Sequence, residues 1–169
     1  MIETLTETVT TTLVPTPAGP VRVAVAGRPE RVVVLAFDDH FERVAARVRR
    51  RLPGPWVEGG SAAAEAVRRY VDGDVHALDD LDVDVAGTPF QQRVWAALRG
   101  IPAGTTWSYR ELAAAVGAPG AVRAVGTANG ANPVWLAVPC HRVVRADGSL
   151  GGYGGGVERK EWLLAHERR

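Results

Sequence analysis

The chain has a single cysteine, a single methionine and a single lysine, and its aromatic content is low at 7%. One thiol, Cys140, excludes an internal disulfide and any metal site built from several thiolates. With Lys160 alone among twenty basic residues, positive charge rests on arginine; this is a compositional bias that carries no function by itself. No apolar run is long enough to cross a bilayer, so no membrane partner is expected. The stretch from Met1 to Pro20 has glutamates and threonines where a secretory signal needs a basic segment and an apolar core. A lone thiol without an export signal indicates a reducing, cytoplasmic setting. Asp80, Asp82 and Asp84 alternate with Leu81, Val83 and Val85, which is the pattern of an extended segment with one wet face, and no calcium-loop glycine accompanies them. His40 and His76 form no spaced ligand set, so no metal is expected. The Tyr153-Gly154-Gly155-Gly156 run lacks the Lys-Ser/Thr of a phosphate loop.

What is present describes a globular chain. Its 169 residues suffice for one large domain or two small ones, and 46% hydrophobic with 23% charged content excludes disorder. The net charge of +1 hides an asymmetry: residues 1–86 carry ten arginines against fourteen acids, residues 87–169 ten basic against five acidic residues. The second half is therefore the half suited to a phosphate-rich partner.

Patterning predicts a two-lobed α+β fold, with a small α/β lobe over 1–86 and a mainly helical lobe over 87–169. Val21–Val25 and Arg31–Phe37 read as a hairpin around Gly27-Arg28-Pro29. Phe41, Val44, Ala45, Val48 and Leu52 have helical spacing, with arginines on the other face, and a second helix is predicted from Ser61 to Val71. Thr88-x-x-Gln91 and Ser108-x-x-Glu111 are capping boxes that open two more helices. The helix after Ser108 ends at Gly117, and the next is predicted from Pro119 to Gly130, which makes a helix-turn-helix. A last helix is predicted over Val157–Glu167, with His166 structural or exposed. Most positions on the second helix of the pair are small (Ala124, Gly126, Thr127) and only Arg123 is long, which favours sequence-tolerant phosphate contacts over base reading.

Val134-Trp135-Leu136-Ala137-Val138 reads as a buried strand that Pro139 breaks just before Cys140, His141 and Arg142. A thiol at such a point, with a base and a fixed positive charge following it, is a candidate nucleophile. In an extended segment Cys140 and His141 point to opposite faces, so without a turn no direct bond between them is expected and a bridging water is the reasonable link.

Pro139-Cys140-His141-Arg142-Val143 resembles the active-site motif of the O6-alkylguanine-DNA alkyltransferases, the methylated-DNA–protein-cysteine methyltransferases. The resemblance extends from about Gly87 to Glu167 through Gly87-Thr88-Pro89-Phe90-Gln91, Ala121-Val122-Arg123-Ala124-Val125-Gly126, Ala131-Asn132-Pro133, Gly152-Tyr153-Gly154-Gly155-Gly156 and Lys160-Glu161-Trp162-Leu163-Leu164. It implies a ribonuclease H-like first lobe and a winged helix-turn-helix second lobe. It also implies stoichiometric, irreversible transfer of an alkyl group from O6-alkylguanine, with O4-alkylthymine left open, to Cys140 after base flipping. By that resemblance His141 is the water-mediated base and Glu167 orients it. Asn132 ties the active-site turn, and Tyr109 bonds guanine N3. Arg123 is the finger that fills the flipped nucleotide's place, with Ser108, Ala124, Gly126 and Thr127 along the DNA.

The backbone carbonyls of Cys140 and Val143 would accept from the guanine amine, and Trp135, Tyr153, Gly154 and Gly155 would wall the pocket. Trp135 stands where several members have a small residue or proline, and the cysteines that some members use for zinc are absent. The implied partner is double-stranded DNA bearing the lesion, held by phosphate and minor groove. The protein is expected to be a monomer in solution, with cooperative assembly on DNA left open. Two other functions fit parts of the sequence: a sensor of alkylated DNA that recruits other factors, and a cysteine–histidine hydrolase.

Overall fold

The computed structural model describes residues 6–169. Among these residues, six strands and six α-helices follow one another as β1 (Val9–Val14), β2 (Val21–Ala26), β3 (Arg31–Phe37), α1 (Asp38–Arg51), β4 (Trp56–Glu58), α2 (Ala62–Val71), α3 (Pro89–Arg99), β5 (Trp107–Ser108), α4 (Tyr109–Ala115), α5 (Val122–Gly130), β6 (Val143–Val144) and α6 (Val157–Glu167). The architecture is α+β: an N-terminal sheet with helices, then a helical lobe. No helix among the described residues is long and apolar enough to cross a membrane.

The sheet order is β3-β2-β1-β4, antiparallel except for the parallel pair β1–β4. β3 is almost wholly apolar because it is covered on both faces. Val33 and Val34 join Phe41, Ala45 and Val48 of α1 on one side. Val32, Leu35 and Phe37 join α2 and the helical lobe on the other. That second cluster also holds Val94, Trp95 and Leu98 of α3, Leu112 of α4 and Val125 of α5, so the lobes share one apolar core.

β3 is an edge strand, and an open edge must be covered. Two segments cover it. Val32 N donates to Asp82 O at 2.8 Å and Asp84 N to Val32 O at 2.9 Å. Further along, Leu35 N donates to Pro133 O at 3.0 Å and Trp135 N to Leu35 O at 2.7 Å. The first lobe thus holds the chain that leads to Cys140.

The capping residues position the helices as their sequence requires. Both boxes are complete, with Thr88 Oγ1 accepting from Gln91 N and Ser108 Oγ from Glu111 N, and each cap contributes about 1 kcal/mol. Ser61 caps α2 in the same way.

Several sequence expectations need correction. β1 and β4 were not foreseen. In β1 the inward positions include Thr11, whose branched carbon suits a strand although it is not apolar. The helix expected from Pro119 begins at Val122, because Pro119 and Gly120 form the turn before it. Val134–Val138 is fully buried but is not a strand beyond one bridge, Leu35–Val134. Leu136 interrupts it with φ +67°, a left-handed conformation that costs a bulky residue roughly 1–2 kcal/mol.

Candidate active site

The turn around Leu136 is closed by a backbone bond from Val138 N to Val134 O at 3.0 Å and braced by one side chain. Asn132 Nδ2 donates to Val138 O at 2.7 Å, and its Oδ1 accepts from Val134 N at 2.9 Å. Asn132 O also accepts from the Trp135 indole at 2.9 Å. These bonds bring the chain to Pro139 and into a single 3₁₀ turn, Cys140–Arg142. Cys140 therefore sits at the start of a tight turn and not at a strand end.

Cys140, buried, lines a cleft of about 200 Å³ together with Tyr109, Gly126, Asn129, Tyr153 and Gly154. Trp135 forms part of the same wall, its ring 5.6 Å from that of Tyr153 and 6.2 Å from that of Phe37. Gly154 lies flat against the indole: a Cβ there would come within 3.2 Å of Trp135. Gly155 packs under the wall, where a Cβ would meet Phe37 and Tyr153 at 3.1 Å, so it supports the cleft from behind. Asn129 Nδ2 donates to Cys140 O at 3.4 Å.

Behind the thiol is a buried polar network. The His141 Nε2–H donates to Glu167 Oε1 at 2.6 Å. Arg142 grips the same carboxylate through Nε at 2.9 Å and Nη2 at 3.0 Å, and donates to Ile101 O at 2.7 Å. Tyr70 OH, from α2 in the first lobe, donates to Glu167 Oε1 at 2.7 Å. The fixed charge that follows the thiol in sequence therefore faces Glu167. Burial opposes ionisation of Glu167, but the His141 and Arg142 contacts outweigh it and hold the carboxyl well below the usual range. Burial lowers His141, with Glu167 opposing, so the imidazole is neutral. With Nε2 donating, its basic atom is Nδ1, which is buried and has no protein partner among the described residues.

No direct Cys140–His141 hydrogen bond forms among the described residues; the segment is a 3₁₀ turn rather than extended, so strand alternation is not the cause, and the His141 ring is turned instead toward Glu167. Burial pushes the Cys140 thiol up; the Asn132 side chain and the Lys160 charge oppose it. Lys160, given no site role from sequence, is fully buried. Its Nζ donates to Val143 O at 2.6 Å and Gly152 O at 3.2 Å, and burial brings its pKa down to about 8. The Val143 carbonyl is thus already engaged, and Val143 itself is buried beneath the site. Burial and then Cys140 raise Tyr109, so its hydroxyl keeps its proton. His166 is buried, bonded to Tyr70 O at 2.7 Å and stacked on Trp162.

Arg123, Ala124 and Thr127 are exposed on α5, Gly126 is half-buried beside the Tyr109 ring, and Ser108 caps α4. α4 and α5 pack as the helix pair. Tyr70, Arg142 and Lys160 were the site residues that sequence reasoning missed in these roles. The one available signal was a lone lysine inside an apolar helix pattern.

A buried cysteine under a helix-turn-helix, backed by a neutral imidazole on an ionised carboxylate, places a thiol where a group entering the cleft would meet it. Residues 89–169 match the family model for the DNA-binding domain of 6-O-methylguanine DNA methyltransferase. The methylated-DNA–protein-cysteine methyltransferase of Salmonella typhimurium is 57% identical over 98 residues, 58% of this chain and 57% of that one. That of Shigella flexneri is 45% identical over 139 residues, 82% of this chain and 77% of that one. The crystal structure of Mycobacterium tuberculosis OGT in complex with DNA superposes with a TM-score of 0.77 at 39% identity, covering 94% of this chain and 92% of that one. The chain belongs to the methylated-DNA–protein-cysteine methyltransferase family. The stretch matched in the Salmonella relative is a little over half of that protein's length.

Proposed function

We propose that this protein repairs DNA by taking the alkyl group of O6-alkylguanine onto Cys140, once per molecule. The observation that carries the reading is the only thiol of the chain at the wall of a nucleobase-sized cleft, with His141 Nδ1 free to take its proton. The base must leave the helix to reach a buried sulfur, at a cost of a few kcal/mol. The thiol proton passes through water to His141 Nδ1, and Glu167 stabilises the imidazolium. Sulfur attacks the alkyl carbon, the carbon–O6 bond breaks, and the Tyr109 hydroxyl donates to the departing guanine. The product is a thioether that no residue here can cleave. The substrate is duplex DNA carrying the lesion, met in the cytoplasm, and no cofactor enters the balance because the lesion is the alkyl donor.

A sensor without chemistry would have no use for the thiol and its relay, and a hydrolase would turn over. Titrating O6-methylguanine duplex with protein separates all three. Lesion loss should stop at one equivalent per chain. Continued turnover, or binding without lesion loss, would overturn the proposal.

Arg123 supports flipping from the exposed face of α5. Arg123→Ala is expected to slow repair of duplex by about tenfold or more while sparing reaction with the free O6-methylguanine base; equal losses on both would remove the finger role. Trp135 is fixed by the Asn132 bond and by Phe37, so the cleft cannot widen easily. The protein should therefore react more slowly with O6-benzylguanine than with O6-methylguanine, as a competition assay would read directly.

A further inference from the structure

Beside the lesion cleft lies a second groove, of about 250 Å³, which the proposed chemistry leaves unused. One wall is α1, which contributes Arg43, Arg47 and Arg51; the other is the end of α5 and the residues that follow it, Gly130 and Ala131 among them. The three arginines stand at i, i+4 and i+8, which places them on one face of the helix, and all three are exposed. Like charges so spaced repel, and little around them relieves it. Arg51 pairs with Asp84 at 3.1 Å, and Arg43 lies 3.4 Å from His40 Nδ1. Arg47 has no ion pair among the described residues. A positive row facing a groove is an anion site.

The groove is continuous with the surface on which DNA would lie. Gly130 and Trp135 line both this groove and the lesion cleft. Arg123, Thr127 and Gly130 recur along the exposed face of α5 and lead to it. A strand that follows α5 while one nucleotide sits in the cleft runs off the C-terminal end of the helix. The last carbonyls of α5 carry partial negative charge and repel phosphate. The α1 arginines supply positive charge at that point.

We propose that the groove between α1 and the end of α5 binds phosphodiesters of the DNA strand beyond the helix-turn-helix, so that the first lobe shares in holding DNA. This rests on the reading of α5 as the DNA-facing helix. The test is the salt dependence of binding to an unmodified duplex, measured by fluorescence anisotropy for the wild type and for R43A/R47A. Both side chains are exposed and lie outside the catalytic network. Each lost phosphate contact lowers the slope of log K against log salt by about 0.9, so the double variant should lose up to roughly 1.8. Between about 50 and about 200 mM salt, the wild type's affinity should fall roughly tenfold further than the variant's. R43K/R47K, which keeps both charges, should retain most of the slope, and all three proteins should react equally with free O6-methylguanine base. Equal slopes for wild type and R43A/R47A overturn the proposal, as does an equal loss on duplex and free base. The slope decides the groove whether or not methyl is transferred; methylation of Cys140 decides the chemistry.

Discussion

Glu167→Gln is expected to unfold at a markedly lower urea concentration than the wild type, with a loss of roughly 3 kcal/mol or more. The residue is 4% exposed and Arg142 is 5% exposed, so the neutral amide leaves a guanidinium buried without its counter-ion. Against a total stability of about 5–15 kcal/mol for an ordinary domain, such a loss is large. Three elements meet on this carboxylate: α6 carries it, the 3₁₀ turn offers His141 and Arg142, and α2 sends Tyr70 across from the first lobe. Its folded pKa lies below the unfolded one. The stability it contributes is therefore fully present above the ordinary carboxylate pKa and is lost as the pH falls through the depressed folded value. Glu167→Gln should lack that part of the acid sensitivity. An unfolding free energy within about 1 kcal/mol of wild type at neutral pH, from the same urea titration, would show that the network is not structural.

Cys140→Ser is expected to transfer no measurable methyl while still binding the lesion duplex. A hydroxyl in the same place has a far higher pKa, and a neutral imidazole acting through water cannot generate its alkoxide. Because a buried hydroxyl without a partner costs roughly 1–3 kcal/mol, Cys140→Ala serves as the second variant. It should bind within a few-fold of wild type and be equally inert. Lesion loss catalysed by either protein would place the chemistry elsewhere.

The helices of this fold were legible because their ends are written in side chains that bond the backbone. Thr88, Ser108 and Ser61 each mark a start, and Gly100 and Gly117 follow the last turns of α3 and α4. The strands were less so. β3 is a continuous apolar run, but β1 turns a threonine inward and β4 has only three residues, of which two are exposed. The Val134–Val138 run misled for a physical reason: full burial and apolar content are shared by a core strand and by a core turn. The bonds of Asn132, with the backbone bond from Val138 N to Val134 O, decide between them. Cys140 and His141 stood out as chemistry, and the family resemblance placed Asn132, Tyr109 and Glu167 beside them. The contacts that hold the site depend on the folded chain. Tyr70 lies 97 positions from Glu167, and Lys160 reaches back 17 positions to the Val143 carbonyl. Local pattern has no access to such pairs.

One sulfur receives one carbon from DNA. Mass spectrometry of the protein after incubation with excess O6-methylguanine duplex, followed by peptide mapping, tests it most directly. The expected result is a gain of one methyl group per chain, carried only by the peptide that contains Cys140. Repaired DNA alongside protein of unchanged mass, or a methyl on any other residue, would contradict it.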